Sequence, residues 1–320
     1  MRAVVLDNTG VKFRSDYPNP QPKTGEILVR VLMAGVCETD LQLIRGYMGF
    51  QGVLGHEFVG IAESGPFQGR RVVGEINASC ETCEYCQRGL ANHCPHRTVL
   101  GILNRDGAFA DYLSIPQQNL HLVPDDISTR AAVLTEPLAA AFQILEQLRV
   151  SAGQTVLVLG DGRLGNLCAQ VLAHAGCRVT VVGKHARKLE ILRKSGIATL
   201  LLADLPADRS NDIVVDCTGS ATGLATALSV VRPRGTIVLK TTVAGEQHIS
   251  LAPVVIDEVT IIGSRCGPFP VALAALQRQQ IDVMSLIDGI APLESTLAMF
   301  ERARTEPVLK LLLEINSEAA

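Results

Sequence analysis

Val156-Leu157-Val158-Leu159-Gly160-Asp161-Gly162-Arg163-Leu164-Gly165 is the stretch whose reading decides the fold. Four apolar residues run straight into a Gly-x-Gly-x-x-Gly loop, and from its fifth residue onward Leu164, Leu167, Val171 and Leu172 recur at helical spacing. A strand, a glycine turn and a helix in that order open a dinucleotide-binding βαβ unit. Gly160 permits the tight turn, Gly162 lets a pyrophosphate approach the backbone, and Gly165 lets helix and strand pack closely. The phosphates then meet the positive end of the helix. Without these flanks the six residues would be an ordinary glycine turn. Asp161 stands awkwardly here, because it brings a negative charge near two phosphates, with Arg163 as the candidate counterweight.

Working outward, short β-branched runs alternate with stretches of helical period from about Thr155 onward. Val156–Leu159, Val179–Val182, Ile213–Val215, Thr236–Leu239 and Val259–Ile262 are predicted strands, apolar throughout as in a parallel sheet buried on both faces. That alternation predicts an α/β, doubly wound sheet. The first third differs. It is rich in Gly, Pro and short β-like runs such as Ile27–Val31 and Arg71–Gly74, and it predicts an irregular, mostly β domain. After Gly263 the rhythm breaks at Cys266-Gly267-Pro268-Phe269-Pro270. A predicted helix over Val271–Gln280 and an apolar run at Pro307–Leu313 then return the chain to the first domain.

The end of the second strand chooses between cofactors. An acid about 20 residues after the glycines would bond the adenosine ribose and repel a 2′-phosphate. Gly183 stands there, followed by Lys184, His185, Arg187 and Lys188, so the sequence favours NADP(H) over NAD(H) unless these are merely solvated charges. Thr218, just past the strand at Ile213–Val215, joins the candidate cofactor contacts.

Cys80, Cys83, Cys86 and Cys94 step by 3, 3 and 8 residues, close enough for one loop to surround a single tetrahedral ion. Zn²⁺ takes four thiolates at about 2.3 Å, and a site filled by four protein ligands leaves no place for substrate. This quartet is therefore expected to be structural, and the alternative is unrelated thiols or two disulfides.

Composition narrows the class. Of 320 residues 47% are hydrophobic and only 4% aromatic, as in a soluble α/β enzyme large enough for two domains. With 29 basic against 32 acidic residues, a net charge of −3, the basic field of a nucleic-acid-binding protein is missing. Asp7 follows only a few apolar residues, so no signal peptide is expected, and no apolar run approaches the ~20 residues of a membrane span. The expectation is a cytoplasmic protein with nine reduced cysteines, free of membrane and nucleic acid.

Three distant segments each offer a further zinc ligand: Cys37 in Gly35-Val36-Cys37-Glu38-Thr39-Asp40, His56 in Gly55-His56-Glu57, and Glu136 in Thr135-Glu136-Pro137. Spacing alone does not assemble them, since a lone histidine is more often a hydrogen-bonded structural residue. These segments, the cysteine quartet, Gly107-Ala108-Phe109-Ala110-Asp111-Tyr112 and the glycine loop together resemble the zinc-containing medium-chain dehydrogenase/reductase family along nearly the whole chain. Glu136-Pro137 is similar to the polyol and threonine dehydrogenase pattern within it.

The resemblance implies a Rossmann domain inserted into a mostly β, GroES-like catalytic domain, the two meeting at a cleft with a catalytic zinc. The boundaries expected are 1–136 with a zinc lobe at about 78–96, then 137–266, then 267–320. It implies one catalytic and one structural Zn²⁺, an alcohol or polyol, or the corresponding aldehyde or ketone, as substrate, and a homodimer or homotetramer formed through the nucleotide domain. By the same resemblance Cys37, His56 and Glu136 hold the catalytic zinc and leave a fourth position for the substrate oxygen. Thr39 passes the hydroxyl proton onward, Glu57 approaches the metal when substrate is absent, and Asp40 orients His56. One residue departs from the pattern. Many members carry a relay histidine five residues after the ligand cysteine, where this chain has Gln42, whose amide has no suitable pKa. Met48, Phe50 and Leu54 suggest a compact, partly apolar substrate pocket. Two other readings compete: a quinone reductase-like enzyme, which would lack Cys37, His56 and the cysteine lobe, and a non-catalytic zinc- and nucleotide-binding redox sensor.

Overall fold

The structure, a computed structural model, describes residues 1–242 and 249–317. The chain forms two compact units. One comprises Met1–Glu136, Leu273–Arg278 and the chain from Leu286 on; the other comprises Pro137–Ala272 and Gln279–Ser285. The first division thus falls at Glu136, and the last stretch, expected to return as one piece from 267, is shared between the two.

The second unit is built on six parallel strands in the spatial order Ala198–Leu201, Arg178–Gly183, Thr155–Leu159, Asn211–Asp216, Val231–Leu239 and Thr260–Gly263. The first strand in the chain lies in the middle, and the order reverses on either side of it, which is the doubly wound Rossmann arrangement. Val156, Val158, Val181, Val214 and Val215 are buried, as expected of strands covered on both faces by helices. Arg163–His174, Ala186–Lys194 and Gly223–Val230 are the helices that follow three of these strands. Leu167, Val171 and Leu172 form the buried face of the first of them, while Leu164 is only partly buried. The strand Ala198–Leu201 was not anticipated. It lies at the sheet edge with two residues exposed and two half-buried, and its Ala-Thr-Leu-Leu carries one β-branched residue where the predicted strands carry at least two.

The first unit holds a seven-stranded sheet in which Glu26–Gly35 runs between Glu57–Ala62 and Lys310–Glu314, antiparallel to both. Register pairs Gly35 with Glu57 on one side and with Leu312 on the other. The point where the central strand ends is therefore the point where both neighbours begin. The apolar run expected at Pro307–Leu313 supplies the last of these strands, and the helix expected over Val271–Gln280 is observed at Phe269–Gln277. Among the described residues no helix is long and apolar enough to cross a membrane.

Candidate functional site

Three chain segments converge on that junction. Cys37 follows Gly35 and Val36 at the end of the central strand and stands at the N-cap of the helix Glu38–Ile44. His56 and Glu57 lie at the start of one neighbouring strand and Lys310 at the start of the other. The ligand atoms of Cys37, His56 and Glu57 all lie within 4.8 Å of one another. His56 is 3% exposed, and Asp40, Glu57 and Lys310 are not exposed at all. Charged groups buried this completely need partners.

The partners are present. Asp40, in the first turn of the helix, accepts the Cys37 backbone N–H through Oδ2 at 2.8 Å, and its Oδ1 lies 3.3 Å from His56 Nδ1. One carboxylate thus holds the backbone of one candidate ligand by a hydrogen bond and lies in charge contact with the ring of the other, where Asp40 Oδ1 and His56 Nδ1 make no hydrogen bond. Burial pushes the His56 imidazolium down, but the charges of Asp40 and Cys37 outweigh it and hold its pKa well above the usual value. Lys310 is ion-paired with Glu57 and donates to the Val36 carbonyl at 3.0 Å. Burial draws its ammonium down to about 8, against the raising pull of Cys37 and Asp40. Sequence reasoning passed over Lys310. Its signal was a single cation inside Val308-Leu309-Lys310-Leu311-Leu312-Leu313, where every neighbour is apolar.

Glu136 stands in the first turn of the helix Thr135–Gln147, and the group of mutually close ligand atoms contains Glu57 beside Cys37 and His56 in its place. Thr39 does arrive, with its hydroxyl 3.7 Å from the Cys37 sulfur. Gln42 donates its amide to Glu38 at 2.7 Å on the exposed face of the same helix. The apolar pocket residues scatter: Leu54 and Phe50 are buried in the core, whereas Met48 is 48% exposed.

The cysteine quartet converges fully. Cys83 Sγ lies 3.5 Å from Cys86 Sγ and 3.7 Å from Cys94 Sγ, and Cys94 Sγ lies 3.5 Å from Cys80 Sγ. A tetrahedron with metal–sulfur bonds of about 2.3 Å has sulfur–sulfur edges of about 3.8 Å. The four thiols are free and stand at nearly those edges, which suits a zinc ion and not two disulfides. Hydrogen bonds from Thr82 draw the Cys80 thiol down to about 6, while burial and its sulfur neighbours push Cys86 up to about 12. Four thiols this close cannot all ionise against one another, and a divalent cation among them removes the repulsion.

In the second unit the glycine loop behaves as its spacing requires. Gly160 has φ +115°, and a Cβ there would stand 2.6 Å from the Cys217 carbonyl oxygen; a Cβ on Gly165 would collide with the Gly160 carbonyl; Gly162 faces open space. Beside the loop is a cavity of about 260 Å³ whose wall includes Gly160, Asp161, Gly183, Lys184, His185 and Thr218. Gly162, Arg163, Leu164, Gly165 and Arg187 are not in that wall. Lys184, His185 and Arg187 are exposed, and Thr218 bonds Asp216 through both its N–H and its hydroxyl at 2.9 and 2.8 Å. Asp161 turns away from the loop toward the end of the second strand, where Lys184 N–H and His185 N–H donate to it at 2.7 and 2.6 Å.

Comparison with known proteins agrees with this geometry. Residues 23–125 match the family described as the alcohol dehydrogenase GroES-like domain, and residues 164–278 match that described as zinc-binding dehydrogenase. A probable D-xylulose reductase A of Emericella nidulans is 29% identical over 95% of this chain and 93% of its own. A sorbitol dehydrogenase of Halalkalibacterium halodurans is 28% identical over 95% of each chain. Among solved structures, a short chain alcohol dehydrogenase of E. coli CFT073 complexed with NADH superposes with a TM-score of 0.91 at 25% identity, over 98% of this chain and 99% of that one. A putative zinc-binding dehydrogenase of Sinorhizobium meliloti 1021 bound to NADP gives 0.88 at 26% identity, over 98% of both.

Proposed function

Given that the chain belongs to the zinc-containing medium-chain dehydrogenase/reductase family and is an oxidoreductase, we propose that it moves a hydride between an alcohol or polyol, or the corresponding aldehyde or ketone, and a nicotinamide dinucleotide. The observation that carries the reading is the meeting of Cys37 and His56, two zinc-type donors from distant segments, with Asp40 beside both. The relatives that act on xylulose and sorbitol support the polyol side.

Bound zinc supplies a Lewis acid for the substrate oxygen, and the nicotinamide supplies the hydride acceptor or donor. Cys37 and His56 would hold the ion. We assign the third donor to Glu136 on the sequence resemblance, because the nearer carboxylate, Glu57, already has its charge balanced by Lys310. Asp40 holds the backbone at Cys37 and stands 3.3 Å from His56 Nδ1, the place from which a carboxylate would orient the imidazole when the ion enters. The Thr39 hydroxyl beside the Cys37 sulfur is the group to carry a proton away from the substrate hydroxyl. Gln42 cannot receive it, since an amide does not titrate near neutral pH and this one is spent on Glu38. Cys80, Cys83, Cys86 and Cys94 would hold a second, structural zinc.

The dinucleotide is assigned to the glycine loop and the cavity beside it. The basic run Lys184, His185, Arg187 and Lys188 favours NADP(H), and the Asp161 carboxylate set among it opposes that choice. Nine free thiols suit a reducing compartment, so we place the protein in the cytoplasm, assembled as a homodimer or homotetramer.

The test is a panel of alcohols, sugars and polyols read by the absorbance of the reduced nicotinamide with each cofactor. Alongside it, Cys37→Ser should drop zinc from two ions to about one per chain and lower turnover by roughly a hundredfold or more, as loss of a ligand at a catalytic metal does. A Cys37→Ser protein that keeps both zinc ions and full turnover would remove the catalytic assignment.

A further inference from the structure

Gly183 occupies the place from which dinucleotide-binding sheets usually project an acid toward the adenosine ribose. The space that such a side chain would fill is not vacant. A Cβ built on Gly183 would stand 2.5 Å from Asp161 Oδ2, so the Asp161 carboxylate, reaching across from the glycine loop, already lies there. It is held firmly. Oδ2 accepts the backbone N–H groups of Lys184 and His185 at 2.7 and 2.6 Å, and His185 Nδ1 stands 3.2 and 3.1 Å from Oδ1 and Oδ2. The side chain is only 10% exposed, yet it belongs to the wall of the cavity. An ionised carboxylate offers about four lone-pair sites, and the two backbone donors fall on Oδ2, so Oδ1 keeps capacity for another donor.

We propose that Asp161 is the ribose-recognising acid of this protein, transposed from the strand end to the second position of the glycine loop, and that it makes NAD(H) the preferred cofactor. The proposal rests on the reading that the chain binds a nicotinamide dinucleotide. It also accounts for two oddities at once: an acid in a phosphate-binding loop, and a glycine where the acid belongs. The two positions compensate each other, since only glycine at 183 leaves room for the carboxylate. The cations nearby do not reverse the choice. Lys184 and Arg187 are exposed and screened by water, whereas the Asp161 charge is fixed in a partly desolvated wall, where repulsion of a 2′-phosphate is strongest.

The test is direct binding of NADH and of NADPH to the purified zinc-loaded protein, by calorimetry or nicotinamide fluorescence and without substrate. The wild-type protein should bind NADH at least about tenfold more tightly, equivalent to about 1.4 kcal/mol. Asp161→Asn retains an oxygen for the two backbone donors but loses the charge, and it should tighten NADPH binding while weakening NADH, bringing the ratio to about unity or below. Lys184→Ala should leave the preference for NADH in place. Should Asp161→Asn fail to fold, competition on the wild-type protein decides instead: 5′-AMP should displace NADH more effectively than 2′,5′-ADP. Tighter binding of NADPH than of NADH by the wild-type protein, an unchanged ratio in Asp161→Asn, or stronger competition by 2′,5′-ADP would overturn the assignment while leaving the dinucleotide reading intact. Binding of neither nucleotide would overturn both.

Discussion

A lysine with no exposed surface is costly unless its charge is answered, and Lys310 is answered by Glu57. The pairing also matters for any cation that Cys37 and His56 would hold, because it cancels one of the carboxylates crowded around them. Lys310→Met should leave Glu57 uncompensated and destabilise the protein by about 3–5 kcal/mol, read by chemical denaturation. The double variant Lys310→Met with Glu57→Gln removes both charges, so much of that loss should be recovered. If the double variant were as unstable as the sum of its parts, the pair would not be the source of the effect. Asp161 teaches a related lesson about single positions. An aspartate introduced at Gly183 would displace Asp161 and so would not be a clean probe of cofactor preference.

At the scale of elements, much was legible. Strands buried on both faces announce themselves as unbroken β-branched runs, and of the five predicted in the parallel sheet four are found to within two residues, while Val231–Leu239 begins five residues ahead of its predicted start. Ala198–Leu201 escaped because alanine and leucine, which favour helix as readily as strand, make up three of its four residues. The loop holding Cys80 to Cys94 was legible for a different reason, since four ligands close in sequence need no help from distant parts of the fold. Its contribution should therefore be separable. Cys83→Ser should lose one zinc ion and lower the melting temperature by several degrees, while the zinc held through Cys37 remains, as measured by metal analysis and calorimetry. Unchanged stability with lost turnover would instead make the lobe catalytic.

For the whole molecule, the chain leaves its first unit at Glu136 and re-enters it at Leu273–Arg278 and again from Leu286, so that unit is assembled from distant stretches. In the second unit, Leu251, Val255 and Ile256 are 60%, 76% and 78% exposed on or beside the short helix Ala252–Ile256, which directly precedes the edge strand Thr260–Gly263. Apolar side chains clustered at a sheet edge suit burial against a second copy. Introducing Val255→Asp together with Ile256→Asp should reduce the mass measured by light scattering to that of one chain, with the fold retained by circular dichroism. An unchanged oligomer would place the contact elsewhere, and a wild-type protein that already has the mass of one chain would remove the proposed assembly.

The sequence by itself determined the local and periodic features: the parallel strands, the glycine turn, the cysteine lobe and the segments on which Cys37, His56 and Gln42 lie. These depend on residues near one another in the chain, whose spacing is written in order. Tertiary structure alone decided that Lys310 meets Glu57 across 253 positions, that Glu57 comes within reach of Cys37 and His56, and that Asp161 fills the space left by Gly183. Register between antiparallel strands and the direction of a buried side chain are set by packing, and no spacing along the chain encodes them.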